Sequence, residues 1–189
     1  MLPTKTDPAT AADHGVGMQT FCTFRLRDSL FGTDTHVAKE VTALPPMTPI
    51  PHAPAAVRGY VNLRGHIVLV LDLNCLLHRE PTAIGPTSQL VVFKPELGDA
   101  FGVLVERIGE IVELSAEQIE THPAGKATNS SEVGALPEAE LIRGIGKLNG
   151  ELLLIMEAHK LLPCLERVVA SRGKATARQS LAPVKEISL

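Results

Sequence analysis

The sequence predicts a mainly β protein made of two similar small barrels, and three observations carry that prediction. Apolar residues come in strand-length runs; the longest uninterrupted ones, residues 67–71 and 152–156, fall far short of a membrane span. Arg64-Gly65 and Asn149-Gly150 each separate two such runs by the two residues of a tight hairpin. The same order of pieces also occurs twice. Residues 57–77, VRGYVNLRGHIVLVLDLNCLL, lie over residues 142–162, IRGIGKLNGELLLIMEAHKLL, at an offset of 85 without gaps and with seven of 21 positions identical. Upstream, residues 30–44 match residues 100–114 at an offset of 70, through Phe31/Phe101, Gly32/Gly102, Glu40/Glu110 and Leu44/Leu114. Many short strands in small, strongly bent sheets are most simply two barrels.

In chain order, residues 1–19 lack periodicity and read as a flexible leader. Residues 20–26 alternate, Phe21, Thr23 and Arg25 opposing Cys22, Phe24 and Leu26, which predicts a half-buried strand. A turn at Arg27-Asp28-Ser29 then leads to a second strand. Residues 36–44, HVAKEVTAL, predict a short helix or helical turn. The next ten residues, PPMTPIPHAP, hold five prolines, which excludes helix and central strand and leaves an extended loop.

The hairpin of residues 57–72 ends in Asp72, well suited to cap the helix LNCLL by accepting from its free N–H groups. Its fully apolar run 67–71 predicts burial on both faces, as two packed barrels would give. Further strands are expected at 89–94, 100–105 and 111–114, with a turn through Gly109. Residues 115–141 form a polar excursion with at most one short helix near SAEQIE. The second hairpin ends in Glu157, mirroring Asp72. The tail, residues 164–189, carries Arg167, Arg172, Lys174, Arg178 and Lys185 against Glu166 and Glu186; it reads as helical through LERVVASR and disordered at its end.

Composition removes several functions. A net charge of −3 and only six aromatics leave little for nucleic acid, which needs concentrated cations and stacking platforms. The cysteines, Cys22, Cys75 and Cys164, are odd in number and form no CxxC pair, so the chain reads as cytosolic and reduced. Seven histidines form no HxxxH or HxH pattern, and no metal site is expected. RGIGKLNG misses dinucleotide-loop spacing, AGKATNSS has Ala127 where a phosphate loop needs Ser or Thr, and no GxSxG occurs. No enzyme, cofactor or catalytic residue is read from the chain.

One residue breaks the local rules. Two-residue hairpins favour Asn-Gly or Asp-Gly because both turn residues take positive φ; the second copy has Asn149-Gly150 and the first has Arg64-Gly65. Two readings stand. Arg64 is an exposed turn residue with Gly65 absorbing the strain, or its guanidinium is placed there to meet a partner.

The residues AKEV…TPIPHAPAAVRGYVNLRGHIVLVLDL, with FGVLVERIGEIVEL and LIRGIGKLNGELLLIMEAHKLL, resemble the CheW-like domain of chemotaxis coupling proteins over about residues 20–163. The proline loop followed by NLRG is the specific part. The resemblance implies two similar five-stranded SH3-like β-barrel subdomains packed on a shared hydrophobic core, with short helices. It implies a stand-alone, non-catalytic adaptor without cofactor or metal, and not the regulatory end of a kinase or a CheV-type protein.

Such an adaptor couples chemoreceptor cytoplasmic tips to the regulatory domain of the histidine kinase CheA, in the cytoplasm at receptor arrays. Receptor tips would dock in the groove between the barrels, near the NLRG turn. Carried over by position, Glu40, Gly59, Asn62, Leu63, Arg64 and Gly65 are receptor-side candidates; no kinase-side residue is assigned. Thr33, Thr35 and Ala38 depart from the usual aliphatics, and Glu106 and Met156-Glu157 from the usual Asp and Leu-Asp. The alternatives are a coupling protein of a non-flagellar array and a small-ligand sensor using the same groove.

Overall fold

The computed structural model describes residues 17–121 and 140–179, without the side chains of 171–179. Strands β1 (Met18–Leu26) and β2 (Ser29–Asp34) form a hairpin, followed by β3 (Ala38–Ala43), β4 (Met47–Thr48), β5 (Val57–Leu63), β6 (His66–Asp72) and helix α1 (Leu73–Leu76). The order then repeats: β7 (Gln89–Phe93), β8 (Phe101–Val105), β9 (Arg107–Ser115), β10 (Ile119–Thr121), β11 (Ile142–Leu148) and β12 (Glu151–Met156), ending in helix α2 (Leu161–Gln179).

One sheet runs β10-β11-β12-β2-β1-β9 and the other β4-β5-β6-β8-β7-β3. Written in that direction they match strand for strand. Each has one parallel pair, β12 with β2 and β6 with β8, among antiparallel neighbours. The sequence copies and the sheets are therefore not the same units. Each sheet takes four strands from one copy and two from the other, so the two repeated halves exchange their opening hairpin strands. Each sheet has six strands where five were expected, the sixth being the short β4 or β10.

Three clusters of buried side chains follow from this arrangement. Val61, Val68, Val70, Leu90, Val92 and Leu104 fill the inside of one sheet. Phe21, Leu30, Leu114, Leu153 and Ile155 fill the other. A third and larger cluster draws Phe24, Phe31, Leu71, Phe93, Phe101 and Leu161 from both sheets and α2. Its rings stack in two pairs, Phe24 on Phe31 at 5.9 Å and Phe93 on Phe101 at 5.0 Å, and Phe31 and Phe101 are partners in the repeat. Such pairs add about 0.5–1.5 kcal/mol each beyond burial.

Several local expectations change in this context. Residues 38–43 are strand β3 and not a helical turn, because antiparallel pairing of Val41 with Val91 and Thr42 with Leu90 supplies the partner a short isolated helix lacks. Gly109 does not turn the chain; it lies within β9, where a Cβ would come 2.4 Å from Thr23 Oγ1, so glycine permits a close strand approach. Residues 20–26 are buried on both faces, since Phe21 enters one sheet's cluster and Phe24 and Leu26 the shared one. The run 67–71 is less buried than expected. Ile67 is 59% exposed, Val68 and Val70 point into their sheet, and only Leu71 and the half-buried Leu69 reach the shared core.

The proline loop supplies the two-residue edge strand β4, consistent with its exclusion from the sheet interior. The excursion after residue 115 contains a 3-10 turn at Ala116–Gln118, as expected, and also β10. β1 begins at Met18, inside the stretch read as leader. α2 begins before the tail and runs into it as far as Gln179, beyond LERVVASR, with Leu161, Cys164 and Leu165 buried in the shared core. The rest of the leader, the rest of the excursion and the end of the tail lie outside the described residues.

Candidate functional site

The Arg64 turn is held by local chemistry. Arg64 has φ +52° and Gly65 φ +90°, so both central residues sit in the left-handed region that a twisted hairpin demands. Asn62 Oδ1 accepts a hydrogen bond from the Gly65 N–H at 2.8 Å, closing the turn through a side chain. At the tip the Arg64 side chain is 88% exposed, and its Nη1 lies 3.6 Å from Glu40 Oε2 on β3. An exposed pair of this kind contributes about 0–1 kcal/mol, too little to explain a strained arginine as a structural tie. Most of its N–H donors remain turned to solvent.

Beside the turn lies a groove of about 360 Å³, walled by Lys39, Glu40, Leu63, Arg64, His66, Val68, Val92, Phe93, Pro95 and Ala100. Its floor is apolar and its rim carries charge, the pattern that admits an apolar side chain and fixes it with polar contacts. All of these walls belong to one sheet and its loops. This groove is thus distinct from the interbarrel groove that the resemblance implies.

Of the six receptor-side candidates, Glu40, Leu63 and Arg64 meet at the groove, and Asn62 and Gly65 form the turn that presents Arg64. Gly59 stands apart. It is buried in β5 at a bulge, with φ +144°, and a Cβ there would come 2.3 Å from Thr48 O of the edge strand. Its repeat partner Gly144 sits at the matching bulge of β11, where a Cβ would come 2.8 Å from Glu120 O of β10. A glycine needed at both equivalent bulges is architectural. Sequence reasoning missed the groove residues Val92 and Phe93 of β7 and Ala100 just before β8, because only sheet pairing brings them next to β3 and the hairpin.

The repeat places a comparable groove in the other sheet, lined by Thr23, Arg25, Leu30, Gly109, Glu110, Leu148 and Glu151 among others. There Glu110 and Leu148 occupy the positions of Glu40 and Leu63. Arg25 and Glu151 pair at 2.8 Å within it, and that carboxylate raises the Arg25 pKa. The two grooves share a frame and differ at the hairpin tip.

Asp72 anchors the base of the Arg64 hairpin. Completely buried, it accepts from Asn74 N at 3.0 Å, Cys75 N at 3.4 Å, Thr82 N and Thr82 Oγ1 at 2.8 Å each, and pairs with Arg58 at 3.4 Å. The cap expected from sequence is present and also ties down the loop to Thr82. Its counterpart Glu157 makes no cap bond and instead faces Arg143 at 3.9 Å, His159 at 3.1 Å and Lys160 at 3.9 Å.

Burial, then the nearby Asp72 charge, push the Cys75 thiol up to about 11, and burial also raises Cys22 and Cys164. None of the three is a ready thiolate. Among the described residues no three His, Cys, Asp or Glu side chains gather as metal ligands, and no helix is long and apolar enough to cross a membrane.

Two matched six-stranded sheets over a common core, with a charged hairpin tip beside an apolar groove, define a binding module built to present surfaces. The CheW-like domain family model matches residues 20–166, and the chain belongs to that family. It is 28% identical over 148 residues to the chemotaxis protein CheW of Rhizobium meliloti (strain 1021), covering 78% of this chain and 89% of that one. It is 30% identical over 148 residues to the chemotaxis protein CheW of Treponema pallidum (strain Nichols), covering 76% and 82%. The fold is similar to that of the scaffolding protein TtCheW from Thermoanaerobacter tengcongensis, with a TM-score of 0.66, 23% identity and coverage of 81% and 92%.

Proposed function

We propose that the protein is a non-catalytic adaptor that couples the cytoplasmic tips of chemoreceptors to the regulatory domain of the histidine kinase CheA. Membership of the CheW-like family and relatives named as chemotaxis proteins support this reading. The observation that carries it is the Arg64 tip: an exposed guanidinium held at positive φ beside an apolar groove, where the second hairpin has Asn149 without positive φ. A receptor helix hairpin lays an apolar side chain into the groove, and Arg64 pairs with a carboxylate or helix-end carbonyls of that hairpin. Leu63 and Glu40 form the groove wall, Asn62 and Gly65 shape the turn, and Gly59 serves the sheet. The kinase is held on a different surface, so occupation of both links the two partners. The protein acts in the cytoplasm, recruited to membrane-associated receptor arrays.

Co-purification tests this reading. With purified CheA and a soluble chemoreceptor cytoplasmic fragment, the protein is expected to retain each alone and to bring the two into one complex. Retention of neither, or of one at the expense of the other, contradicts a bridge.

A further inference from the structure

The repeat serves as an internal comparison for the hairpin tip. Leu63/Leu148 and Gly65/Gly150 are the same residues in both copies, whereas Asn62/Lys147 and Arg64/Asn149 differ. The two differences are linked. In the second copy Asn149 occupies the first tip position without positive φ, only Gly150 at φ +84° being left-handed, so that turn is of another type than the expected one with both tip residues at positive φ. Lys147 is used elsewhere, paired with Glu120 at 2.6 Å. In the first copy the asparagine stands two residues earlier, where Oδ1 takes the Gly65 N–H.

A second hairpin repeats the pattern. Arg27, at φ +54° in the turn between β1 and β2, has its own N–H held by Glu106 Oε2 at 3.0 Å. Both arginine tips thus have a side-chain acceptor bracing a turn N–H. Among the described residues no side-chain acceptor reaches the Asn149-Gly150 turn.

We infer that Asn62 is a positioning residue: its side chain braces a left-handed turn that a tip arginine disfavours, and so lets position 64 carry a cation aimed at the groove. Asn62 then acts on a partner through Arg64 and not by touching it. The part concerning binding rests on the adaptor reading; the part concerning the turn does not.

The test uses the full chain with Asn62→Ala, Asn62→Asp, Arg64→Asn and Asn62→Ala/Arg64→Asn. In the free protein, loss of one hydrogen bond is expected to speed Gly65 amide exchange by about two- to tenfold in Asn62→Ala, and Asn62→Asp, which keeps the acceptor, is expected to restore protection. Affinity for a chemoreceptor cytoplasmic fragment is expected to fall about three- to tenfold in Asn62→Ala, and the same change in the Arg64→Asn background is expected to add less than about twofold. Unchanged Gly65 exchange in Asn62→Ala overturns the bracing role. An equal binding loss in both backgrounds overturns action through Arg64 and makes Asn62 a contact residue. If the unmutated protein does not bind the fragment, the adaptor reading fails, and the exchange measurement still decides the turn.

Discussion

Gly59→Ala is expected to destabilise the protein by about 3 kcal/mol or more, the largest effect of any single methyl group added near the hairpin. Two costs combine. A side chain at φ +144° is strained whatever the space, and this Cβ would meet Thr48 O at 2.3 Å and Thr48 C at 2.9 Å. Those are backbone atoms of β4, so relief requires moving the edge strand away from β5 and opening the inner cluster where Met47 packs. For a chain of this size the melting temperature is expected to drop by roughly 6–12 °C.

Gly65→Ala is the control. Its Cβ meets nothing within 4 Å, so only the backbone preference of about 1 kcal/mol is lost. A Gly59→Ala protein that melts with the wild type would show that the bulge is not load-sharing and would return Gly59 to the list of contact residues.

Asp72→Ala is expected to cost about 3–5 kcal/mol, the range for breaking a buried ion pair from one side. The carboxylate has no exposure and serves Asn74 N, Cys75 N, Thr82 N, Thr82 Oγ1 and Arg58 at once. Removing it leaves buried donors without acceptors and an arginine without its counter-charge, each costly in a dry environment. The loop ending at Thr82 loses its attachment, so enhanced proteolysis between residues 77 and 88 should accompany the fall in denaturant midpoint. Glu157→Ala is expected to have a much smaller effect, because its partners Arg143, His159 and Lys160 are all partly exposed. Comparable losses for the two substitutions would contradict the asymmetry drawn between them.

What was legible in the sequence was local. The Arg64 hairpin, the Asp72 cap and the exclusion of the proline loop from the sheet interior each depend on a few adjacent residues with strong backbone preferences. Strand β3 was not legible, because HVAKEVTAL has no decisive period and becomes a strand only beside β7, some fifty residues later. Gly109 was misplaced for a related reason: glycine marks turns and close strand approaches alike, and only Thr23 on the neighbouring strand decides which.

The exchange of strands between the repeat copies was hidden altogether. Similarity between β5–β6 and β11–β12 records that two segments have the same shape, and says nothing about which copy supplies the parallel neighbour. At the candidate site, the oddity of Arg64 could be seen in sequence because the second copy provides the expected residue. Glu40 was legible only as a receptor-side candidate implied by the resemblance; its nearness to Arg64 and the apolar floor from Val92, Phe93 and Ala100 needed the sheet.

The most direct measurement compares Arg64→Asn with the unmutated protein, in thermal unfolding and in binding to a chemoreceptor cytoplasmic fragment and to CheA. The account predicts a melting temperature equal to or above the original, since the substitution restores a favoured turn pair. It predicts receptor affinity lower by at least about tenfold, the loss of one charge-assisted contact, with CheA still retained. A sharp fall in melting temperature with receptor binding intact would mean that Arg64 holds the fold together and that the bridge, if there is one, is built elsewhere.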